Sequence, residues 1–77
     1  MGNSFDAQRR ALRKEWRTIA EFPKYEINLD GKIRYKESLI MKGTYEDGYG
    51  QEVVQLTRDG KRYLRTVKRL IRVAFSV

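Results

Sequence analysis

The side chains able to do chemistry in this chain are mostly cations. Seventeen Lys and Arg stand against ten Asp and Glu, for a net charge of +7, with no His and no Cys. Without His there is no imidazole to act as a base near neutral pH. Without Cys there is no thiolate nucleophile, thiolate metal site or disulfide framework, which fits a reducing cytoplasm. No Glu is followed two residues later by Lys, so a paired carboxylate–ammonium hydrolytic site at that spacing is missing. Glu46 and Asp47 are adjacent rather than spaced as a metal pair, and read as the start of a turn. The sequence therefore points to no catalytic constellation and no cofactor. What remains is a surface for polyanions.

The layout of charge sharpens that reading. Residues 1–36 hold nine basic and five acidic side chains, for +4; residues 37–57 hold one and four, for −3; residues 58–77 hold seven and one, for +6. Two positive segments separated by an acidic middle make a directed electrostatic footprint. The chain is short enough to be one domain, burying only about 60% of its unfolded surface. Its 40% apolar content supplies one thin core. No apolar run approaches the roughly 20 residues that span a bilayer, and no secretory signal is visible. The sequence predicts no membrane partner.

The elements that must position the cations follow from periodicity. Ser4 can cap a helix with Asp6 in its first turn, giving a basic N-terminal helix over residues 1–15 that carries Arg9, Arg10, Arg13 and Lys14. Residues 16–77 then form a single compact domain. Around Asp30-Gly31, a three-residue loop with Gly31 left-handed pairs Ile27 with Ile33 and Tyr25 with Tyr35. That register gathers four apolar side chains on one face and Glu26, Arg34 and Lys36 on the other. The same logic at Asp59-Gly60 pairs Val54 with Leu64 and leaves Gln55, Lys61, Tyr63 and Arg65 outward. A short strand is expected near Leu39–Lys42, and Gly43 to Gly50 reads as a breaker-rich loop. Thr66 caps a final helix in which Val67, Leu70, Ile71 and Ala74 face the core, with Lys68, Arg69 and Arg72 on its other side. The expected fold class is α+β: a small antiparallel sheet of four to five short strands with an N-terminal and a C-terminal helix.

On these registers the basic residues divide by role. Arg34, Arg65 and Gln55 are side-chain types that read base edges, and a two-stranded ribbon fits the major groove. Lys32, Lys42, Arg58 and Lys61 suit phosphate contacts that position without specifying. Lys36, Tyr63 and the strip Lys68, Arg69 and Arg72 complete the expected nucleic-acid surface.

A resemblance supports this division. Glu15-Trp16-Arg17-Thr18-Ile19, Phe22-Pro23-Lys24-Tyr25-Glu26-Ile27 and Gly31-Lys32-Ile33-Arg34 open the pattern. Asp47-Gly48-Tyr49, Val54, Leu56 and Gly60-Lys61 continue it, and Val67-Lys68-Arg69-Leu70-Ile71 with Ala74-Phe75 close it. In that order, over about residues 16 to 75, they resemble the nuclease-associated modular DNA-binding (NUMOD-type) domains at the N-terminus of HNH homing endonucleases. The resemblance implies apolar anchors at Trp16, Phe22, Tyr25 and Phe75, a phage or mobile-element setting, and a bacterial cytoplasmic or nucleoid location. Lys68 departs from the family, whose closing helix usually reads Val-His-Arg-Leu. Relatives continue into a nuclease, whereas this chain stops at Val77 and lacks the histidines that nuclease needs. Tyr45 with Gly48-Tyr49-Gly50 is faintly similar to a tyrosine-based nuclease motif, but reads more simply as a loop.

The function expected is therefore a stand-alone, non-catalytic module that binds duplex DNA. Two other classes stay open. The same basic surface could occlude an acidic patch on a host protein such as a nuclease, polymerase or defence complex. RNA binding is the third, though it usually calls for exposed aromatics that stack on bases.

Overall fold

The structure, a computed structural model, describes residues 15–76. The helix expected over residues 1–15 lies outside them, apart from Glu15. Seven strands and one helix follow in order among the described residues: β1 (Arg17–Thr18), β2 (Tyr25–Ile27), β3 (Ile33–Tyr35), β4 (Met41–Lys42), β5 (Tyr45–Glu46), β6 (Glu52–Arg58), β7 (Lys61–Thr66) and α1 (Val67–Phe75).

The strands form two antiparallel sheets, ordered β1-β2-β3-β4 and β5-β6-β7. This corrects the expected single sheet of four to five strands. The chain crosses between the sheets at Gly43 and Thr44, and β5 occupies part of the segment expected to be loop. Tyr45 and Glu46 gave no strand signal because neither is buried. Two sheets rather than one follow from the supply of apolar side chains. Each sheet has one apolar face, and each covers that face with the other sheet and the helix.

In the first sheet the expected register holds: Tyr25 lies opposite Tyr35, and Ile27 opposite Ile33. Gly31 is left-handed at φ 81°, and its N–H donates to the Asn28 carbonyl at 3.0 Å. The buried Asn28 side chain accepts from the N–H groups of Asp30 and Lys32 at 3.1 and 2.9 Å. These bonds satisfy a loop backbone that would otherwise be left without partners.

The core joins Ile19, Phe22, Tyr25, Ile27 and Ile33 to Val54 and Leu56 of the second sheet and to Val67, Leu70 and Phe75 of α1. Trp16, expected as an apolar anchor, is only half-buried, whereas Phe22, Tyr25 and Phe75 are buried as expected. The Tyr25 hydroxyl ties the sheets together by accepting the Thr57 N–H at 3.2 Å. Thr66 caps α1 as expected, its hydroxyl accepting the Arg69 N–H. Among the described residues, no helix is long and apolar enough to cross a membrane.

Candidate nucleic-acid interface

The hairpin β6–β7 is the longest paired element, and its register decides which side chains face outward. Arg58 pairs with Lys61, Leu56 with Tyr63, Gln55 with Leu64 and Val54 with Arg65. Asp59 and Gly60 both have positive φ, 52° and 76°, which makes a two-residue turn of the primed kind that matches strand twist. The expected pairing of Val54 with Leu64 is thereby corrected by one residue. The shift turns Tyr63 and Arg65 inward and leaves Arg62 and Leu64 outward. Aromatic packing favours it: the Tyr63 ring lies 5.5 Å from that of the buried Phe22, a contact that Leu64 in its place could not reproduce.

The structure separates the expected cations into engaged and open groups. Arg34 lies on the outer face of the first sheet, bonded to Glu26 at 2.7 Å and stacked 3.9 Å over the Trp16 ring. Arg65 is bonded to Glu21 at 2.9 Å. The hydrogen bond from Arg65 lowers the pKa of Glu21, aided by the charge of that guanidinium and by Arg58 and Arg69. Arg58 donates to the Glu21 carbonyl at 3.0 Å and lies 4.8 Å over the Tyr63 ring. Lys36 donates to Thr18 at 2.8 Å. Lys32 is exposed and Lys42 half-buried. Arg34 and Arg65, expected as base readers, thus have their guanidinium groups committed within the fold.

The open group is more compact. Gln55 is exposed on β6, Lys61 at the hairpin tip, and Lys68, Arg69 and Arg72 along α1. None of these four cations forms a salt bridge among the described residues. Arg62 and Thr57 join Gln55 on the outward face, with Leu64 half-exposed between them. Sequence reasoning missed Arg62, Thr57 and Leu64. The signal that would have found them was the Asp-Gly pair, a strong marker of a two-residue hairpin turn.

The outward positions of the ribbon hold Gln55, Thr57, Arg62, Leu64 and Thr66, with a buried Val53 opposite Thr66, and no carboxylate. Six residues of β7 at roughly 3.4 Å each span about 20 Å, with Lys61 at one end and the start of α1 at the other. Such a ribbon fits a major groove about 12 Å wide. Arg62 and Gln55 can each make two hydrogen bonds to one base edge, and the flanking lysines can meet phosphates. Among the described residues, no group of three or more His, Cys, Asp and Glu side chains gathers where it could hold a metal ion.

Comparison with protein-family models and with curated proteins gives no match. Among solved structures, the chain is similar to the HNH homing endonuclease I-HmuI, in a structure concerned with its DNA binding and cleavage. The fold is shared. The TM-score is 0.72 over 79% of this chain, at 22% sequence identity. The match takes in 36% of the I-HmuI chain, so this chain corresponds to about a third of that enzyme.

Proposed function

We propose that this chain is a DNA-binding module, of the nuclease-associated modular kind, that lays the β6–β7 ribbon on duplex DNA without a catalytic step of its own. The observation that carries the reading is the outward face of that ribbon. Arg62, Gln55 and Thr57 stand open on it with no carboxylate among its outward positions, while the acidic Glu21 and Glu26 are taken up by Arg65 and Arg34. The likeness to a fold from a DNA-binding endonuclease supports the same choice. The absence of His from the sequence leaves the module without the usual base for hydrolysis at neutral pH.

On this reading Arg62 and Gln55 supply direct readout, and Lys61, Lys68, Arg69 and Arg72 supply electrostatic attachment. Neutralising about five phosphates gives a slope near −4.5 in log K against log salt. Titration of a labelled duplex at several salt concentrations tests this. Lys61→Ala should weaken all duplexes alike and flatten the slope by about one. An affinity that does not change with salt, or no binding at low salt, overturns the reading. So does a single protein partner that survives nuclease treatment of an extract and is lost on charge reversal at Lys68 and Arg72.

A further inference from the structure

The hairpin loop between β5 and β6 presents an aromatic ring that packing does not explain. Tyr49 is 92% exposed, the most exposed large hydrophobic side chain among the described residues. The loop around it is tightly bonded. The Asp47 carboxylate accepts the N–H groups of Tyr49 and Gln51 at 2.8 and 3.2 Å, and the Asp47 N–H donates to the Gln51 carbonyl at 3.0 Å. Gly48 and Gly50, both left-handed at φ 89° and 83°, flank the ring. The sequence thus places a planar π-surface at the tip of a short, internally bonded turn.

What lies beside this tip gives it a partner. Gly50, Gln51 and Glu52 line a groove of about 600 Å³, together with Lys68, Arg69 and Arg72 of α1. The groove carries charge of both signs. Lys68, Arg69 and Arg72, without a salt bridge among the described residues, line it together with Glu52 and Asp30. One Glu52 oxygen already accepts the Thr44 hydroxyl at 2.6 Å. A nucleotide has the matching polarity, with its phosphate suited to the cations, its exocyclic amines suited to carboxylates, and a flat base suited to a tyrosine ring.

We propose that this groove takes an unpaired nucleotide of DNA, with its base stacked on Tyr49 and its phosphates on Lys68, Arg69 and Arg72. The inference rests on the duplex-binding reading and deepens it. The ribbon holds paired DNA, and the loop–helix groove beside it selects duplexes in which a base has left the stack. Stacking on a ring is tolerant of sequence, so this contact recognises DNA deformation rather than base identity.

The test uses the full chain and two labelled probes, a perfect duplex and the same duplex with a short bulge of unpaired nucleotides, followed by fluorescence anisotropy at low salt. The bulged probe should bind about tenfold more tightly, the size of one base stacked on an aromatic side chain. Tyr49→Ala should abolish that preference and leave perfect-duplex affinity unchanged, whereas Tyr49→Phe should keep it. Circular dichroism of both variants should match the parent, since nothing in the core touches Tyr49. Equal binding of the two probes by the parent overturns the groove assignment and leaves duplex binding standing. A preference that persists in Tyr49→Ala also overturns it. Failure to bind either probe removes both readings together.

Discussion

The chain contains the tripeptide Asp-Gly-Lys twice, at Asp30-Gly31-Lys32 and Asp59-Gly60-Lys61, and folds it two ways. In the first hairpin the loop has three residues and a bulge; in the second it has two. The residue two positions before the aspartate accounts for the difference. Asn28 is buried, and its amide oxygen accepts two backbone N–H groups that only the longer loop brings within reach. Thr57 stands at the matching place in the second hairpin, exposed, with its N–H already given to the Tyr25 hydroxyl. Burial follows the same division. A Cβ on Gly31 would meet Val67 Cγ1 at 3.0 Å, while one on Gly60 would have nothing within 4 Å. One turn is a packing element and the other a presenting element. Identical local sequence thus leaves the choice to a neighbouring side chain and to whatever packs above.

The strongest way to break this contrast is substitution of the two glycines. Gly31→Ala combines a left-handed backbone with a steric conflict against α1, and should cost about 3 kcal/mol in chemical denaturation. Gly60→Ala carries only the backbone term, about 1 kcal/mol. Equal losses would show that the two turns do the same job.

The arginines of the hairpins sharpen the contrast from the binding side. Arg62→Ala should reduce duplex affinity by about 2 kcal/mol and flatten preference among sequences. Arg34→Ala should leave duplex affinity nearly unchanged, because its guanidinium is held by Glu26 and Trp16, and should instead lower stability by about 1 kcal/mol. The reverse pattern would return recognition to the first hairpin.

Asn28→Ala tests the cause proposed for the longer loop. Removing the amide leaves the N–H groups of Asp30 and Lys32 without their acceptor, at a cost of about 1.5 kcal/mol. Exchange protection should be lost at those two amides and retained at Arg58 and Lys61. Uniform loss across both hairpins would mean that Asn28 supports the whole fold rather than one turn.

The smallest effect is acidic. The hydrogen bond from Arg65 holds the Glu21 carboxyl below its ordinary value of 4.5. A carboxyl depressed in the folded state contributes stability that is complete above the unfolded value and is lost as pH falls through the folded one. Stability should therefore decline below about pH 4.5, and the Glu21→Gln variant should lose a small part of that decline. The group is exposed, so the change should be slight. A variant that matches the parent at every pH would remove Glu21 as a tether of the second hairpin.

The sequence disclosed the parts of the fold that repeat an apolar period. Ile27, Ile33, Tyr25 and Tyr35 allow one register in the first hairpin, and Val67, Leu70 and Ile71 allow one face for the helix. It did not disclose β5, whose residues are exposed and carry no burial signal, and so it missed the division into two sheets. In the second hairpin the apolar pattern favours Val54 opposite Leu64 over the observed Val54 opposite Arg65. Tertiary packing reversed that ranking: Phe22 draws Tyr63 inward, and Glu21 gives Arg65 a partner at the edge of the core. Among the candidate contacts, Gln55, Lys61, Lys68, Arg69 and Arg72 were legible as exposed polar positions. The pairing of Arg65 with Glu21 was not, because Glu21 is close to it only in three dimensions; Glu26 opposite Arg34 follows from the first register, whereas the stacking of Arg34 on Trp16 does not.

The stack of Arg34 on Trp16 has a practical side. Trp16 is the chain's one tryptophan, and it sits on the outer face of the first sheet, across the core from the β6–β7 ribbon. Its emission is therefore a built-in gauge of whether the first sheet is intact, read without any attached dye. Because the β6–β7 ribbon belongs to the other sheet, urea should move that signal and a duplex held on the ribbon should leave it in place. Loss of fold and loss of binding can thus be told apart in a single cuvette.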